Sequence, residues 1–211
     1  MGSSTLIDMI GSFVIAGVLL IIGMQMNAQA NEATLVYNGN AILQSNLTAL
    51  VDMLETDFRK IGYCADWTKI PDPSASLLLA DSNRIKFLTD IPTKSKPFGD
   101  GILDTVYYYT GPTSELSRTP NPYDRYLYRK VNSQTAYSMN FGLTQFSFIF
   151  FNTAGDTLPF PVTNPATVYY MQVSVTIQSA APYKQQYMND PSQYDVFWKQ
   201  IRLVTQNLRN R

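Results

Sequence analysis

Ser4–Met24, STLIDMIGSFVIAGVLLIIGM, decides how the rest of the chain is read. It holds one charged residue, Asp8, and the 23 residues from Met9 to Asn31 carry no charge. At about 1.5 Å of rise per residue, roughly 20 helical residues cross a hydrocarbon layer of about 30 Å. The run is therefore long enough to span a membrane. An ordinary secretory signal opens with Lys or Arg and ends in a small-residue cleavage site; here the first basic residue is Arg59. Gly11, Gly17 and Gly23 recur every six residues, and Gln25, Asn27, Gln29 and Asn31 follow at once. A carboxylate inside an apolar helix is costly unless something pairs with it. Asp8 needs an explanation as much as the helix does.

Composition narrows the chemistry. The chain has 211 residues, 45% of them apolar, enough for one good domain plus an extension. Sixteen basic and sixteen acidic residues cancel, which argues against a general electrostatic grip on nucleic acid. The local excess at Lys199, Arg202, Arg209 and Arg211 reads as a solvated tail. The single cysteine, Cys64, allows neither an intrachain disulfide nor a cysteine metal cluster. There is no histidine, which removes Ser-His-Asp and Cys-His catalysis and His-ligated zinc. No phosphate loop, nucleophile–base pair or metal-ligand spacing is visible, so no catalytic residue, cofactor or metal is expected. An enzyme whose two carboxylates meet only on folding is the least favoured class.

Residues 1–62 read as an N-terminal helix, since no proline occurs before Pro71. Its first part, 1–24, is apolar all round. In 43–62, Leu43, Leu47, Leu50, Leu54, Phe58 and Ile61 step by four, three, four, four and three, which is one helical face. Between them, Asn27, Asn31, Asn38, Gly39 and Asn40 are weak helix formers, and local stretching or melting is expected within Gly23–Asn40. Asn46-Leu47-Thr48 matches a glycosylation acceptor, a pattern common by chance. Gly62 is the expected helix stop.

Residues 63–211 read as a β-rich domain. Pro71 and Pro73 mark a loop. Arg84–Leu88, Thr105–Thr110, Tyr126–Val131, Leu143–Asn152, Val168–Gln178 and Val196–Leu208 read as strands, and Val168–Gln178 gives the clearest period of two. Loops rich in Pro, Asn, Ser and Thr separate them. The expected class is α+β, with an antiparallel sheet packed on the Leu43–Ile61 stripe. Other candidates are weaker. Cys64 reads as a buried small hydrophobe. Asp100, Asp104, Asp190 and Asp195 sit in or beside loops without calcium-loop spacing and read as solvated charges. Tyr107–Tyr109 reads as packing rather than a stacking platform.

These residues carry a resemblance. Thr5-Leu6-Ile7-Asp8-Met9-Ile10 resembles the opening of mature type IV pilins and pseudopilins. That family begins with a short Thr-Leu-Ile-acid-hydrophobic motif, continues as a long helix and ends in a β-sheet domain. Leu54-Glu55-Thr56-Asp57-Phe58-Arg59-Lys60-Ile61-Gly62-Tyr63 is similar to the segment closing that helix in W-type minor pilins and J-type pseudopilins. Asn83-Arg84-Ile85-Lys86-Phe87, Tyr126-Leu127-Tyr128-Arg129 and Asn207-Leu208-Arg209-Asn210-Arg211 resemble their early strands and C-terminus. The resemblance implies a leader removed by a membrane prepilin peptidase, methylation of the new N-terminus, and numbering that starts at or near the mature end. Two departures bear on the cut. The acid is Asp rather than Glu, sixth if cleavage follows Gly2 and fifth if it follows Ser3, and the usual first residue, Phe, is absent.

The function implied is a subunit of a bacterial pilus-like filament, held in the inner membrane before assembly and extracellular on the cell surface afterwards. Its partners would be copies of itself, the prepilin peptidase and an inner-membrane assembly platform. Asp8 would meet the N-terminal amine of a neighbouring copy in a water-free helix bundle, where either charge left bare costs several kcal/mol. A simpler reading places Asp8 at the water–headgroup boundary. Two other functions remain open: a minor pseudopilin of a type II secretion pseudopilus, and a signal-anchored β-domain binding module.

Overall fold

A computed structural model describes residues 2–180, 194–204 and 207, with side chains from residue 5. Helix α1 runs Gly2–Arg59, and the chain divides into two compact units, one ending at Ile42 and one starting at Leu43.

The expected stretching or melting within Gly23–Asn40 is absent: α1 is helical throughout that region. A weak helix former costs only about 0.5–1 kcal/mol, whereas extending an existing helix adds a backbone hydrogen bond per residue. Polar side chains also find partners one turn back. Thr34 Oγ1 donates to Ala30 O at 2.8 Å, and Asn31 Nδ2 to Asn27 Oδ1 at 3.5 Å. The helix ends in a tightened turn, Lys60 N to Asp57 O at 3.1 Å and Ile61 N to Phe58 O at 3.3 Å. Gly62 then adopts φ 74° and its N–H leaves the helix for Leu88 O at 2.9 Å.

In the second unit, β1 (Leu77–Ala80), β2 (Arg84–Thr89), β3 (Asp104–Thr110), β4 (Arg125–Val131), β5 (Tyr137–Phe151), β6 (Tyr170–Gln178) and β7 (Val196–Val204) form one sheet in chain order. Every neighbouring pair is antiparallel. Strand β1 lies in a stretch whose apolar residues, Leu77-Leu78-Leu79-Ala80, do not alternate with polar ones. Strand β5 begins at Tyr137, earlier than the aromatic run alone indicates, and its two halves serve different neighbours. Tyr137–Leu143 pairs with β4 and Leu143–Phe151 with β6. The change comes at Gly142, where φ is 74° and an added Cβ would lie 2.6 Å from Gln178 O. The second half of β5 then reaches the opposite edge, with Phe148 N donating to Ser82 O at 2.8 Å, so the sheet curls on itself. Val196–Val204 is strand; residues 205, 206 and 208 lie outside the described residues.

The inner face of this curl wraps the helix segment 43–59. Leu50, Leu54, Phe58 and Ile61 are fully buried, Leu43 is buried and Leu47 is partly buried against the same cluster. Phe58 is its hub. Its ring meets Tyr108 at 5.4 Å, Phe87 at 5.8 Å and Phe148 at 5.8 Å, the first two edge-on. Beside it, Asp57 Oδ2 accepts from Tyr108 Oη at 2.6 Å and from Arg129 Nε at 2.7 Å. Burial, and then the Asp57 carboxylate, push the Tyr108 phenol well above its ordinary value, which keeps it a donor.

The loop after the helix is pinned by Asp90, fully buried at the end of β2. Its carboxylate accepts from Ala65 N at 3.0 Å, Asp100 N at 2.9 Å and Gly101 N at 2.9 Å, and from the Cys64 thiol at 3.7 Å. Burial alone would raise its pKa, but the three backbone donors together lower it. An added Cβ at Gly99 would lie 2.4 Å from this carboxylate, so the second loop closes over it only as glycine.

Two substitutions test this frame by chemical denaturation. Phe58→Ala is expected to cost about 3–5 kcal/mol through the cavity it leaves. Asp90→Asn is expected to cost about 1–3 kcal/mol at neutral pH, because charge-assisted bonds to three N–H groups are weakened. Since the folded-state pKa of Asp90 is depressed, its contribution is present above the unfolded carboxylate pKa and is lost as pH falls through the folded value. The gap between wild type and Asp90→Asn should therefore hold above pH of about 4 and narrow below it.

Candidate functional site: an apolar helix with one carboxylate

The first unit carries the feature without a counterpart in the folded β unit. From Thr5 to Leu35 every side chain is exposed, including Leu6, Ile7, Ile10, Phe13, Val14, Ile15, Leu19, Leu20 and Ile22. These residues point to every side of the helix, so no single partner face covers them. The helix is long and apolar enough to cross a membrane.

Asp8 is exposed on this helix and belongs to a face of small residues. At 100° per residue, Ser12 and Ala16 follow it one and two turns along the same side. The Ser12 hydroxyl donates to the Asp8 backbone carbonyl at 2.8 Å, a bond that leaves the carboxylate available. Gly11, Gly17 and Gly23 behave differently. Six residues rotate the helix by about 240°, so the three glycines face three different directions and form no common stripe. An added Cβ at any of them meets nothing within 4 Å. Gly2 and Ser3 lie in the first turns of α1.

The other residues singled out in the sequence have structural roles. Cys64 is buried, and burial raises its pKa, a setting unfavourable to thiolate chemistry. Asp100 accepts from Ile102 N at 2.9 Å. Asp104 accepts from Ile91 N at 3.2 Å and from Asn132 Nδ2 at 2.6 Å. Asp195 joins its backbone to Ser179, and Asp190 lies outside the described residues. No three His, Cys, Asp or Glu residues converge among the described residues. Asn46 lies within α1, and Thr48 Oγ1 donates to Gln44 O at 2.9 Å.

The three consecutive tyrosines divide between the two faces of the sheet. Tyr108 is in the core, whereas Tyr107 and Tyr109 stack on the outer face at 4.8 Å, and Tyr109 stacks on Tyr128 at 4.9 Å. The three rings stack in a row with Tyr109 in the middle. Tyr128 Oη donates to Glu115 Oε2 at 2.8 Å, and that bond is the first cause of a phenol pKa pushed up to about 12. Alternation in β3 was the available signal for this division.

No protein-family model matches the sequence, and no curated protein matches it. Among solved structures, the chain is similar to a type IV-like pilin from Thermus thermophilus, at a TM-score of 0.46 and 9% identity, over 80% of this chain and 99% of that one. The arrangement seen here is α+β, one long N-terminal helix and an antiparallel seven-stranded sheet.

Proposed function

We propose that this chain is the structural subunit of a type IV pilus-like extracellular filament, assembled through its N-terminal helix. The observation that carries the reading is a helix apolar on all sides, with one carboxylate near its start, joined to a separately packed β unit. A helix of that kind is stable in lipid or among other helices, and the β unit is built to remain in water. Both environments are met in turn by a protein that waits in the inner membrane and then joins a helix bundle.

In this reading Asp8 sets the axial step. A neighbouring copy brings its N-terminal amine beside the Asp8 carboxylate, and each charge removes the cost of leaving the other bare in a dry bundle. The Ser12 and Ala16 side of the helix lets that neighbour approach closely. The pair supplies register more than net stability, because desolvation offsets much of the attraction. A prepilin peptidase cutting after Gly2 or Ser3 creates the amine, and an inner-membrane platform adds subunits. The β unit forms the outer surface and carries no catalytic role.

Asp8→Asn is expected to abolish filament incorporation while leaving the near-UV circular dichroism of the β unit unchanged; Asp8→Glu should retain part of the yield. Filaments of Asp8→Asn at wild-type abundance would remove the pairing role. Electron microscopy of sheared surface material tests the broader reading, since an anchored binding module yields only monomers in membrane extracts. Mass spectrometry of filament protein should find an N-terminus generated after Gly2 or Ser3, bearing a methyl group.

A further inference from the structure

The outer face of β2, β3 and β4 carries a group of side chains that the core does not use. On β2, Ile85 and Phe87 are buried, and Arg84 and Lys86 alternate with them on the exposed side. On β3, Val106 and Tyr108 are buried, so Tyr107 and Tyr109 face outward. The register sets Tyr109 between Arg84 and Tyr128, and Tyr107 between Lys86 and Lys130. Residues paired directly across antiparallel strands share a face. Two cross-strand rows therefore lie side by side: Arg84, Tyr109 and Tyr128 in one, Lys86, Tyr107 and Lys130 in the other. Tyr126 extends the first, with its ring 6.0 Å from that of Tyr128.

The acids bordering these rows are engaged. Asp81 Oδ2 accepts from Arg84 Nε at 2.8 Å, and Glu115 Oε2 accepts from Tyr128 Oη at 2.8 Å. Among the described residues, neither Lys86 nor Lys130 has a carboxylate at ion-pair distance. Two ammonium groups thus stand uncompensated, one on each side of Tyr107. Two strand spacings of about 4.8 Å set their backbones roughly 10 Å apart. An extended anionic chain laid across the strands meets both and passes over Tyr107 on the way.

The rings select among anionic chains. Tyr109 sits between two stacked rings, Tyr107 at 4.8 Å and Tyr128 at 4.9 Å, so it offers its edge and hydroxyl rather than an open face. Nucleic-acid bases bind such surfaces by stacking on open ring faces. A ridge of ring edges and phenol hydroxyls suits sugars better, because C–H groups pack on the rings and hydroxyls hydrogen-bond to the phenols. The zero net charge of the chain likewise gives no general pull on nucleic acid.

We propose that the outer face of β2, β3 and β4 binds a glycan chain that bears carboxylates. Lys86 and Lys130 meet the carboxylates, and Tyr107, Tyr109 and Tyr128 meet the sugar rings. The inference goes beyond filament assembly and holds for the β unit whether or not the chain assembles.

Biolayer interferometry with the full chain in polyoxyethylene detergent micelles tests it. The probe is polygalacturonate fragments, with dextran and oligo(dT) of similar length as comparators. Saturable binding of polygalacturonate is expected, weakening as salt rises, with dextran far weaker. Lys86→Gln combined with Lys130→Gln should weaken binding about 10-fold and flatten its salt dependence. Tyr107→Ala should weaken it roughly 5-fold and keep the salt dependence, which separates ring contact from charge. Near-UV circular dichroism checks the fold of each variant. Should Tyr107→Ala fail to fold, the two lysine replacements on the solvent face carry the comparison. Absence of saturable binding by the wild type at low salt overturns the proposal, as does binding undiminished by loss of both lysines. Tighter binding of oligo(dT) than of polygalacturonate overturns it in favour of single-stranded nucleic acid, and equal binding of dextran overturns it in favour of a neutral glycan.

Discussion

The seating of Phe58 against the inner sheet face is the contact on which the β unit depends. One ring from the helix meets aromatic rings from the neighbouring strands β2 and β3 and from the distant strand β5. The β2–β3 pair and β5 lie on different parts of the curl, so the ring ties the curvature of the sheet to the rotation of the helix. Asp57, the adjacent residue, adds direction. It takes a phenol from β3 and a guanidinium from β4, and such a set is satisfied in only one rotation of the helix. Hydrophobic area gives the affinity between the layers, and the polar triad removes the alternatives. The residues up to Ile42 have no such contact within their own unit, although they are more apolar. The difference between one apolar side and apolar surface all round is what separates a helix that completes a domain from one that needs lipid or other copies.

Three carboxylates in or beside the core differ in how their charge is met. Asp57 has a guanidinium and a phenol. Asp90 has three backbone N–H groups supplied by two loops, so it holds loop positions without needing a counter-charge. Asp124 has neither, and burial accordingly raises its pKa, whereas the backbone donors around Asp90 lower that one. The contrast comes from loop geometry: the Asp90 loops turn three N–H groups onto the carboxylate, whereas no donor reaches Asp124 Oδ1.

Much of the fold was legible because its signals are local. The absence of proline before Pro71 marks a long helix, and β6 alternates so regularly that Met171, Val173, Val175 and Ile177 are all fully buried. Strand β1 was not legible, since three consecutive leucines followed by alanine carry no period of two. The two-sided role of β5 was equally hidden; it rests on φ at Gly142 and on contacts with the β1–β2 turn. The weak helix formers near Asn38-Gly39-Asn40 misled for a different reason. Propensity measures a small local cost, and it does not register the cooperative gain of a helix already extended on both sides. At the candidate site, Asp8 was legible as the one charge in an apolar run. The setting of Asp124 was not, because nothing in Pro122-Tyr123-Asp124-Arg125 reveals that the arginine turns to Gly111 and that Asp124 Oδ1 has no hydrogen bond.

A chain proposed to associate through its helix must avoid associating through its sheet. The curl protects one edge, where Val162 N donates to Ala80 O at 3.0 Å beside β1. Strand β7 is the other edge, and it carries exposed Val196, Trp198 and Val204 on its outer side, a risk for edge-to-edge pairing. Its protection is Lys199. The register places Lys199 opposite Val175, on the side of the strand that includes buried Ile201 and Leu203. A second strand docking there would have to cover an ammonium set on an apolar face, which is a strong penalty for a small sequence cost. In the proposed filament, this charge would disfavour pairing at the sheet edge and leave the apolar N-terminal helix as the surface for association. Asp8 and Lys199 are thus both single charges placed on apolar surfaces, one on the N-terminal helix and one on the edge strand.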